Sequence, residues 1–166
     1  MTATQGNLLA GRFAQLGYVT NDLDSAIASF RDNAGMKNFL RTDGVNLVVG
    51  EGKVAHCNVA LGVSGGIQFE IIQPTGGDDQ VYSDALTGEG FELRLHHHCH
   101  WVDTQEEFDA VKAQMRHAGF PIVIEGSDPA AQYFYADMRP VVGHYVEYIL
   151  FNPDAVDALM AAIPVN

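Results

Sequence analysis

Apolar and polar positions follow two periodicities along the chain, and the same order of patterns occurs twice. Residues 12–20 predict a strand, and residues 21–36 predict a helix because apolar residues recur at helical spacing. The recurring residues are Leu23, Ala26, Ile27 and Phe30. Asn21 or Asp22 is the expected N-cap, and Gly35 is expected to end the helix. Extended segments follow at about 37–49, 54–62 and 66–73.

The second half repeats this order. Residues 95–102 predict a strand and residues 103–120 a helix capped by Asp103 or Thr104. Extended segments come again at about 120–126, 131–137 and 143–151. Because a strand, a helix and three strands occur twice at a spacing of roughly 80 residues, the chain is predicted to be a duplicated module rather than a solenoid.

The boundaries of these patterns divide the chain into five predicted parts. The part that joins the two modules is rich in glycine and aspartate, and a short helix is expected inside it. The parts are an N-terminal extension (1–11), a first βαβββ module (12–74), a linker (75–92), a second βαβββ module (93–151) and a C-terminal helix (152–166).

Composition excludes several classes of function. The 166 residues carry a formal net charge of −12, which disfavours nonspecific binding to nucleic acid or to an anionic membrane surface. No apolar run is long enough to span a bilayer and the N-terminus lacks a signal pattern, so cytoplasmic residence is expected. The two cysteines have neither zinc-finger nor redox spacing.

Four of the seven histidines lie in the segment LRLHHHCHWVD (93–103), which contains the predicted strand. Side chains alternate between the two faces of a strand, so His97, Cys99 and Trp101 are expected to share one face. The other face is expected to carry His96, His98 and His100. Those three are interpreted as packing or hydrogen-bonding residues rather than as a second metal site.

Superposing the two modules places polar residues at matching positions. Gln15 falls opposite His97, and Glu70 falls opposite Glu147. Polar residues at the centres of apolar strands are costly to bury without partners. The four side chains therefore either partner one another or hold an ion, whereas each taken singly would be a buried residue bonded to the backbone.

The order, spacing and duplication of four segments resemble the vicinal oxygen chelate superfamily. That superfamily includes glyoxalase I, methylmalonyl-CoA epimerase, extradiol dioxygenases and bleomycin-resistance proteins. The segments are QLGYVTNDLDSAI, FEIIQP, LHHHCHWVD and GHYVEYIL. The resemblance covers most of residues 12–151. It implies an α+β fold in which two βαβββ modules form a curled mixed sheet around a metal-binding cup.

The resemblance also implies a site. Carried over by position, the metal ligands are Gln15, Glu70, His97 and Glu147, a set similar to that of glyoxalase I. These donors suit a divalent metal ion such as Zn, Ni, Co, Mn or Fe. Expected substrate contacts are Cys99, Trp101, Tyr133, Tyr135 and Tyr145.

The function implied is that of a metal-dependent lyase or isomerase of the glyoxalase type. It would act on a small carbonyl compound by proton transfer through an enediolate that the metal stabilises. Glu147 or Glu70 is the expected catalytic proton carrier. The alternatives are a bleomycin-resistance-like binding protein without catalysis and an Fe(II) extradiol dioxygenase, against which Gln15 counts. A homodimer is expected from the resemblance.

Overall fold

The computed structural model describes residues 7–166, so the first six residues of the predicted N-terminal extension lie outside the described chain. Eight strands and five helices follow in the described part. The first module contains β1 (Arg12–Thr20), α1 (Leu23–Ala34), β2 (Leu40–Gly50), β3 (Lys53–Ser64) and β4 (Ile67–Gly77). After α2 (Gln80–Ser83) come β5 (Leu93–Trp101), α3 (Gln105–His117), β6 (Ile122–Ser127), β7 (Ala131–Ala136), α4 (Arg139–Val142), β8 (Tyr145–Phe151) and α5 (Pro153–Ala162).

All eight strands form one mixed sheet in the order β2-β3-β4-β1-β5-β8-β7-β6. The first strands of the two modules, β1 and β5, pair antiparallel at its centre. Each of them pairs in parallel with the last strand of its own module, β4 or β8. The sheet curls until its outer strands β2 and β6 meet, and the Tyr133 hydroxyl donates to the Val48 carbonyl across the gap at 2.9 Å. The predicted α+β fold with a curled mixed sheet is confirmed.

Local capping interactions set the ends of the three longer helices. The Asp22 side chain accepts from the Ser25 amide at 3.0 Å at the start of α1, and Gly35 ends that helix at φ 74°, which a glycine adopts without strain. Thr104 caps α3 and Asn152 caps α5. Two candidate caps were predicted for α1 and two for α3, and in each case one of them is the observed cap.

Each module carries its long helix on the outer face of the sheet. Helix α1 packs Leu23, Ala26 and Phe30 against strands β3 and β4, and α3 packs its own apolar stripe against β7 and β8. Burial of each such large side chain stabilises the fold by about 1.5 to 3 kcal/mol. A separate apolar cluster fills one end of the curl, so the inner and outer faces of the sheet are both apolar there. Polar side chains on the inner face are thus conspicuous exceptions.

Helix α5 crosses from the second module back to the first. None of its residues is buried. Beyond its end Val165 forms a parallel bridge with Val63, and the Asn166 side chain bonds both the amide and the carbonyl of Asn38. These contacts beyond its C-terminal end therefore help to hold the helix across the curled sheet.

The remaining helices are short. Helix α2 lies in the predicted linker, as expected, whereas the four-residue α4 occupies a segment predicted only as a connection. The longest helix, α3, has 13 residues. Among residues 7–166 there is no helix with the length and apolar character needed to span a bilayer.

Candidate active site

The register of the four central strands brings one histidine and two carboxylates to the inner face of the sheet. Gly17 of β1 is paired with Glu70 of β4 on one side and with His97 of β5 on the other. Farther along β5, Cys99 is paired with Glu147 of β8. Three of the four residues predicted as metal ligands therefore come from neighbouring positions of adjacent strands.

His97 lies at the centre of this group. Its side chain is 0% exposed, and its Nε2 atom lies 3.3 Å from a Glu70 carboxylate oxygen and 3.4 Å from a Glu147 carboxylate oxygen. The Tyr135 hydroxyl oxygen lies 3.3 Å from the same nitrogen. The Glu147 side chain is nearly buried, whereas that of Glu70 is 18% exposed. One ring nitrogen thus faces two carboxylates, of which Glu70 is the more accessible.

Gly17 makes room for the imidazole. A Cβ atom placed on Gly17 would lie 1.9 Å from Cε1 and 2.1 Å from Nε2 of His97, so the ring rests directly on the backbone of β1. Gly17 does not have a positive φ, and the requirement for glycine is therefore steric rather than conformational. A glycine inside a strand is the sequence signal of such a close approach. Sequence reasoning did not select it.

The expectation that His96 lies on the outer face is wrong. The pairing of β1 with β5 shifts from Gly17–His97 to Tyr18–Leu95, which leaves His96 as the extra residue of a β-bulge. A bulge breaks the alternation of faces, so His96 points inward beside His97. Its ring packs 4.9 Å from the ring of Tyr145, measured between centroids.

The hydrogen bonds of His96 fix the tautomer of His97. Nε2 of His96 lies 2.9 Å from the Val81 carbonyl oxygen, which can only accept, so this nitrogen carries a proton. Nδ1 of His96 lies 3.0 Å from Nδ1 of His97. Burial, followed by the nearby His97, lowers the pKa of His96 to about 3, so its Nδ1 is unprotonated and accepts from His97. In neutral His97 the proton is therefore on Nδ1, and the lone pair on Nε2 faces the two carboxylates.

Gln15 lines the same cavity from β1. Its side-chain amide donates to Oε1 of Gln68 at 2.5 Å, which leaves Oε1 of Gln15 available as a free acceptor. Gln68 in turn contacts the sulfur of Met160 in α5 at 4.0 Å. Gln68 was not selected from the sequence, although it lies two residues before Glu70 on the same face of β4.

A cavity of about 360 Å³ is lined by Gln15, Glu70 and Glu147, whereas His97 is not among its lining residues. Four of the five residues predicted to contact substrate line it, and these are Cys99, Trp101, Tyr133 and Tyr135. Tyr145 is not among the lining residues, and its contact with substrate stays a prediction. Its ring lies 4.5 Å below the guanidinium of Arg139 and packs against His96 instead.

Burial sets the protonation of the polar groups on the inner face. It raises the pKa of Glu147 to about 7, an effect that the nearby His97 opposes and Glu70 reinforces. Burial and then the neighbouring Glu147 raise the pKa of Cys99 and of Tyr135 well above their usual values. The thiol and the phenol therefore stay protonated and act as hydrogen-bond donors, while Glu147 can gain or lose a proton near neutral pH.

The other histidines of β5 lie on the outer face. Nδ1 of His98 is 2.6 Å from Nε2 of His144, and the rings of His98 and His100 pack with centroids 5.0 Å apart. Phe13 covers both rings. Burial, followed by the nearby His100, lowers the pKa of His98 to about 4. These neutral rings pack and hydrogen bond away from the cavity.

The donor set on the inner face fits a divalent ion in type and in pairwise spacing. Nitrogen and oxygen ligands at about 2.0 to 2.2 Å from a shared ion lie about 3.0 to 3.4 Å from each other. The separations of His97 Nε2 from Glu70 and Glu147 have this size. Within the described residues, no three His, Cys, Asp or Glu side chains form a complete ion site as they stand. Binding would therefore require the carboxylates to turn toward the ion.

A family model described as "Glyoxalase/Bleomycin resistance protein/Dioxygenase superfamily" matches residues 14–136, well over half of the chain. No curated protein sequence matches the chain.

Solved structures are similar in fold over nearly the whole chain. Methylmalonyl-CoA epimerase from Mycobacterium tuberculosis has a TM-score of 0.58 and 18% identity, covering 95% of this chain and 97% of its own. A variant of Streptomyces coelicolor methylmalonyl-CoA epimerase in complex with 2-nitronate-propionyl-CoA has a TM-score of 0.57 and 18% identity, covering 84% and 94%. A hypothetical protein from Bacillus halodurans has a TM-score of 0.59 and 12% identity, covering 84% and 93%. At these identities the likeness concerns the fold.

Proposed function

The chain belongs to the glyoxalase/bleomycin resistance protein/dioxygenase superfamily, and from this premise we propose that it is a metal-dependent isomerase or lyase. It acts on a small carbonyl compound by moving a proton to or from the carbon next to the carbonyl group. The metal ligands are Gln15, Glu70, His97 and Glu147. The epimerases that share the fold carry out a reaction of the isomerase class, which supports this choice at the level of reaction type.

The observation that carries the proposal is the convergence of acceptors on His97. Two carboxylate oxygens lie 3.3 and 3.4 Å from its Nε2 atom, and the lone pair of the neutral ring is directed toward them. Once Glu147 has lost its proton, these three acceptor atoms repel one another, and a buried charge is tolerated only when it is paired. A divalent cation among them removes the repulsion and pairs the carboxylates.

A bound divalent ion supplies Lewis acidity, which stabilises negative charge on the oxygen of a substrate carbonyl. The protein supplies the remaining parts of the reaction. Glu147 takes the proton from carbon as the general base, since its carboxylate lines the cavity beside His97. Glu70, the more exposed carboxylate, is the second candidate for this task. The hydroxyl of Tyr135 and the thiol of Cys99 are protonated donors that orient the substrate.

The apolar lining of the cavity excludes water from the reacting atoms. Trp101 and Tyr133 form part of its wall, and α5 covers it through Leu159. Exclusion of water strengthens the electrostatic interactions inside the site. The same lining suits a binding protein without catalysis, which is why the metal must be measured first.

The test begins with elemental analysis of the untreated protein, which should contain about one divalent ion per chain. The variant Glu147→Gln keeps the size of the side chain and removes its basicity. It should lower turnover of an α-hydroxycarbonyl substrate by about 100-fold or more. Glu125→Gln is the matched control, since Glu125 is exposed and bonds Lys112 and Arg116 on the outer surface.

Metal-free protein that binds aromatic ligands with undiminished affinity would favour the binding-protein alternative. Unchanged metal content together with unchanged turnover in Glu147→Gln would contradict the proposed mechanism. Oxygen consumption with a catechol would point to the dioxygenase alternative. The homodimer expected from the family stays a prediction, to be checked by light scattering.

A further inference from the structure

The cavity has one polar end and apolar walls. The polar end holds Gln15, Glu70 and Glu147, and the walls come from both modules. Aliphatic residues of the first module face aromatic residues of the second across the curl. The wall residues include Val45, Leu47, Leu61, Trp101, Tyr133 and Phe151. A ligand that fills this space has a compact polar head and an apolar body.

Among residues 7–166, the lining of the cavity contains acidic side chains but no lysine or arginine. The acidic residues are Glu70 and Glu147 at the polar end and Asp128 at the rim. The guanidinium of Arg12 stacks 4.3 Å from the ring centre of the wall residue Trp101, but Arg12 does not line the cavity. An anionic group on the body of a ligand, away from the metal ligands, would meet Asp128 and no lysine or arginine of the lining within residues 7–166.

The helix over the cavity has the same character. Leu159 of α5 lines the cavity and Met160 contacts Gln68, so this helix sits beside any group that projects outward. Its sequence, PDAVDALMAA, contains two aspartates and no basic residue. The phosphates of a coenzyme A ester would therefore face a second acidic surface, whereas an uncharged body would meet mostly methyl and methylene groups.

We infer that the cavity takes uncharged α-hydroxycarbonyl compounds with an aliphatic or aromatic substituent, and excludes acyl-CoA and other anionic thioesters. The inference rests on the proposed function, which supplies the carbonyl head. It sets this chain apart from the epimerases of the same fold, whose named ligands are coenzyme A esters. The volume of about 360 Å³ corresponds to roughly a dozen water molecules at ~30 Å³ each, which suits a small molecule with one ring.

The reaction needs no further reactant. The C–H bond of the hydroxyl-bearing carbon breaks, its proton passes to Glu147, and its electron pair forms a carbon–carbon double bond as the carbonyl oxygen gains the charge. The proton then returns to the former carbonyl carbon, and the hydroxyl proton moves to the other oxygen. The product is an isomer of the substrate, so atoms and electrons balance.

Trp101 is the only tryptophan of the chain and lines the cavity, so its fluorescence reports binding. The probes are phenylacetylcarbinol, its para-carboxylate derivative and methylmalonyl-CoA. Phenylacetylcarbinol should bind at least about tenfold more tightly than either anion, because like charges in contact are strongly disfavoured. A second assay follows deuterium uptake from heavy water at the carbon next to the carbonyl, using the metal-loaded protein and proton NMR.

A charge variant sharpens the test. Asp128→Asn keeps the oxygen that accepts from the amides of Ala130 and Ala131 while removing one rim charge. It should reduce the ratio of the affinity for phenylacetylcarbinol to the affinity for its carboxylate derivative several-fold. Asp109→Asn, on the exposed side of α3, is the matched control and should leave this ratio unchanged.

The outcomes distinguish the inferred substrate class from the proposed catalysis. Tighter binding of either anion, or a failure of all three probes to bind, overturns the inference about substrate class. Selective binding of phenylacetylcarbinol without deuterium uptake supports the inferred ligand and overturns the proposed catalysis. Deuterium uptake into methylmalonyl-CoA but not into phenylacetylcarbinol supports catalysis and overturns the inferred class. Binding and uptake confined to the neutral probe support both.

Discussion

Replacing His96 with phenylalanine tests whether this residue prepares His97 to bind a metal ion. The chain of bonds runs from the Val81 carbonyl through His96 to Nδ1 of His97 and leaves the lone pair on Nε2. Phenylalanine keeps an aromatic ring beside Tyr82 and Tyr145 but accepts no hydrogen bond. The proton of His97 is then free to move to Nε2, where it would block coordination.

The expected size of the effect follows from the number of bonds lost. His96 supplies the only acceptor that the described structure gives to Nδ1 of His97. Loss of such an outer hydrogen bond typically costs 10- to 100-fold in metal affinity, or about 1.4 to 2.7 kcal/mol. Leaving the Val81 carbonyl without a donor also lowers the free energy of unfolding by about 1 to 3 kcal/mol. Metal affinity and folding stability must therefore be measured separately.

The assay is competitive titration of Zn²⁺ by calorimetry, with nitrogen NMR of the histidine rings reporting which nitrogen carries the proton. His96→Asn should recover part of the affinity, since its side-chain oxygen lies near the former position of Nδ1. His98→Phe is the matched control, because His98 bonds His144 on the outer face and makes no bond to His97. Equal affinities of His96→Phe and the unaltered protein, or a proton on Nε2 of His97 in the unaltered metal-free protein, would refute the reasoning.

Three further predictions concern the same site and its cover. Gly17→Ala should displace His97, which lowers the free energy of unfolding by about 1 to 3 kcal/mol and weakens metal binding. Gly50→Ala is the control and should change neither quantity, because its Cβ would lie at an ordinary contact distance of 3.6 Å from Lys53. Burial raises the pKa of Glu147 in the folded protein from 4.5 to about 7, so the free energy of unfolding of the metal-free protein should fall by up to roughly 3 kcal/mol as pH rises from 4.5 to 7. The urea midpoint of Glu147→Gln should not show this fall. An identical pH dependence of the two urea midpoints would contradict the prediction. Asn166→Ala should speed amide hydrogen exchange in α5 alone, and unchanged exchange there would show that the end contacts do not hold the helix.

Periodicity was sufficient for the order of strands and helices, whereas the curled mixed sheet was expected from the family resemblance. The strand and helix segments of both modules were predictable because each element buries one face, and burial imposes a period of two or 3.6 on the sequence. Duplication then fixed which strands correspond, and this placed Glu70 and Glu147 at matching positions. Their closeness to His97 follows from the pairing of first and last strands within each module.

Irregular structure accounts for what the sequence did not predict. Strict alternation put His96 outside, but a single-residue bulge in β5 turns it inward, and nothing local in the run of histidines marks that bulge. Tyr145 lies on the inner face yet beyond the cavity, because Arg139 and His96 enclose its ring. Gly17 and Gln68 act only through contacts with other strands, which a single strand's pattern does not contain.

The arrangement around His97 also explains why the site differs from ordinary core. Apolar residues of similar size would pack there without the cost of burying Glu147, and buried ionic groups are commonly less stabilising than such replacements. The cost persists because Val81 and His96 hold the acceptor nitrogen of His97 toward the carboxylates, and Gly17 gives up a side chain to accommodate the ring. The hydrogen bonds of His96 and the missing side chain of Gly17 thus both favour the arrangement in which Nε2 of His97 faces the two carboxylates. A folded protein gains from such an arrangement only when a cation or a transferable proton is placed among them.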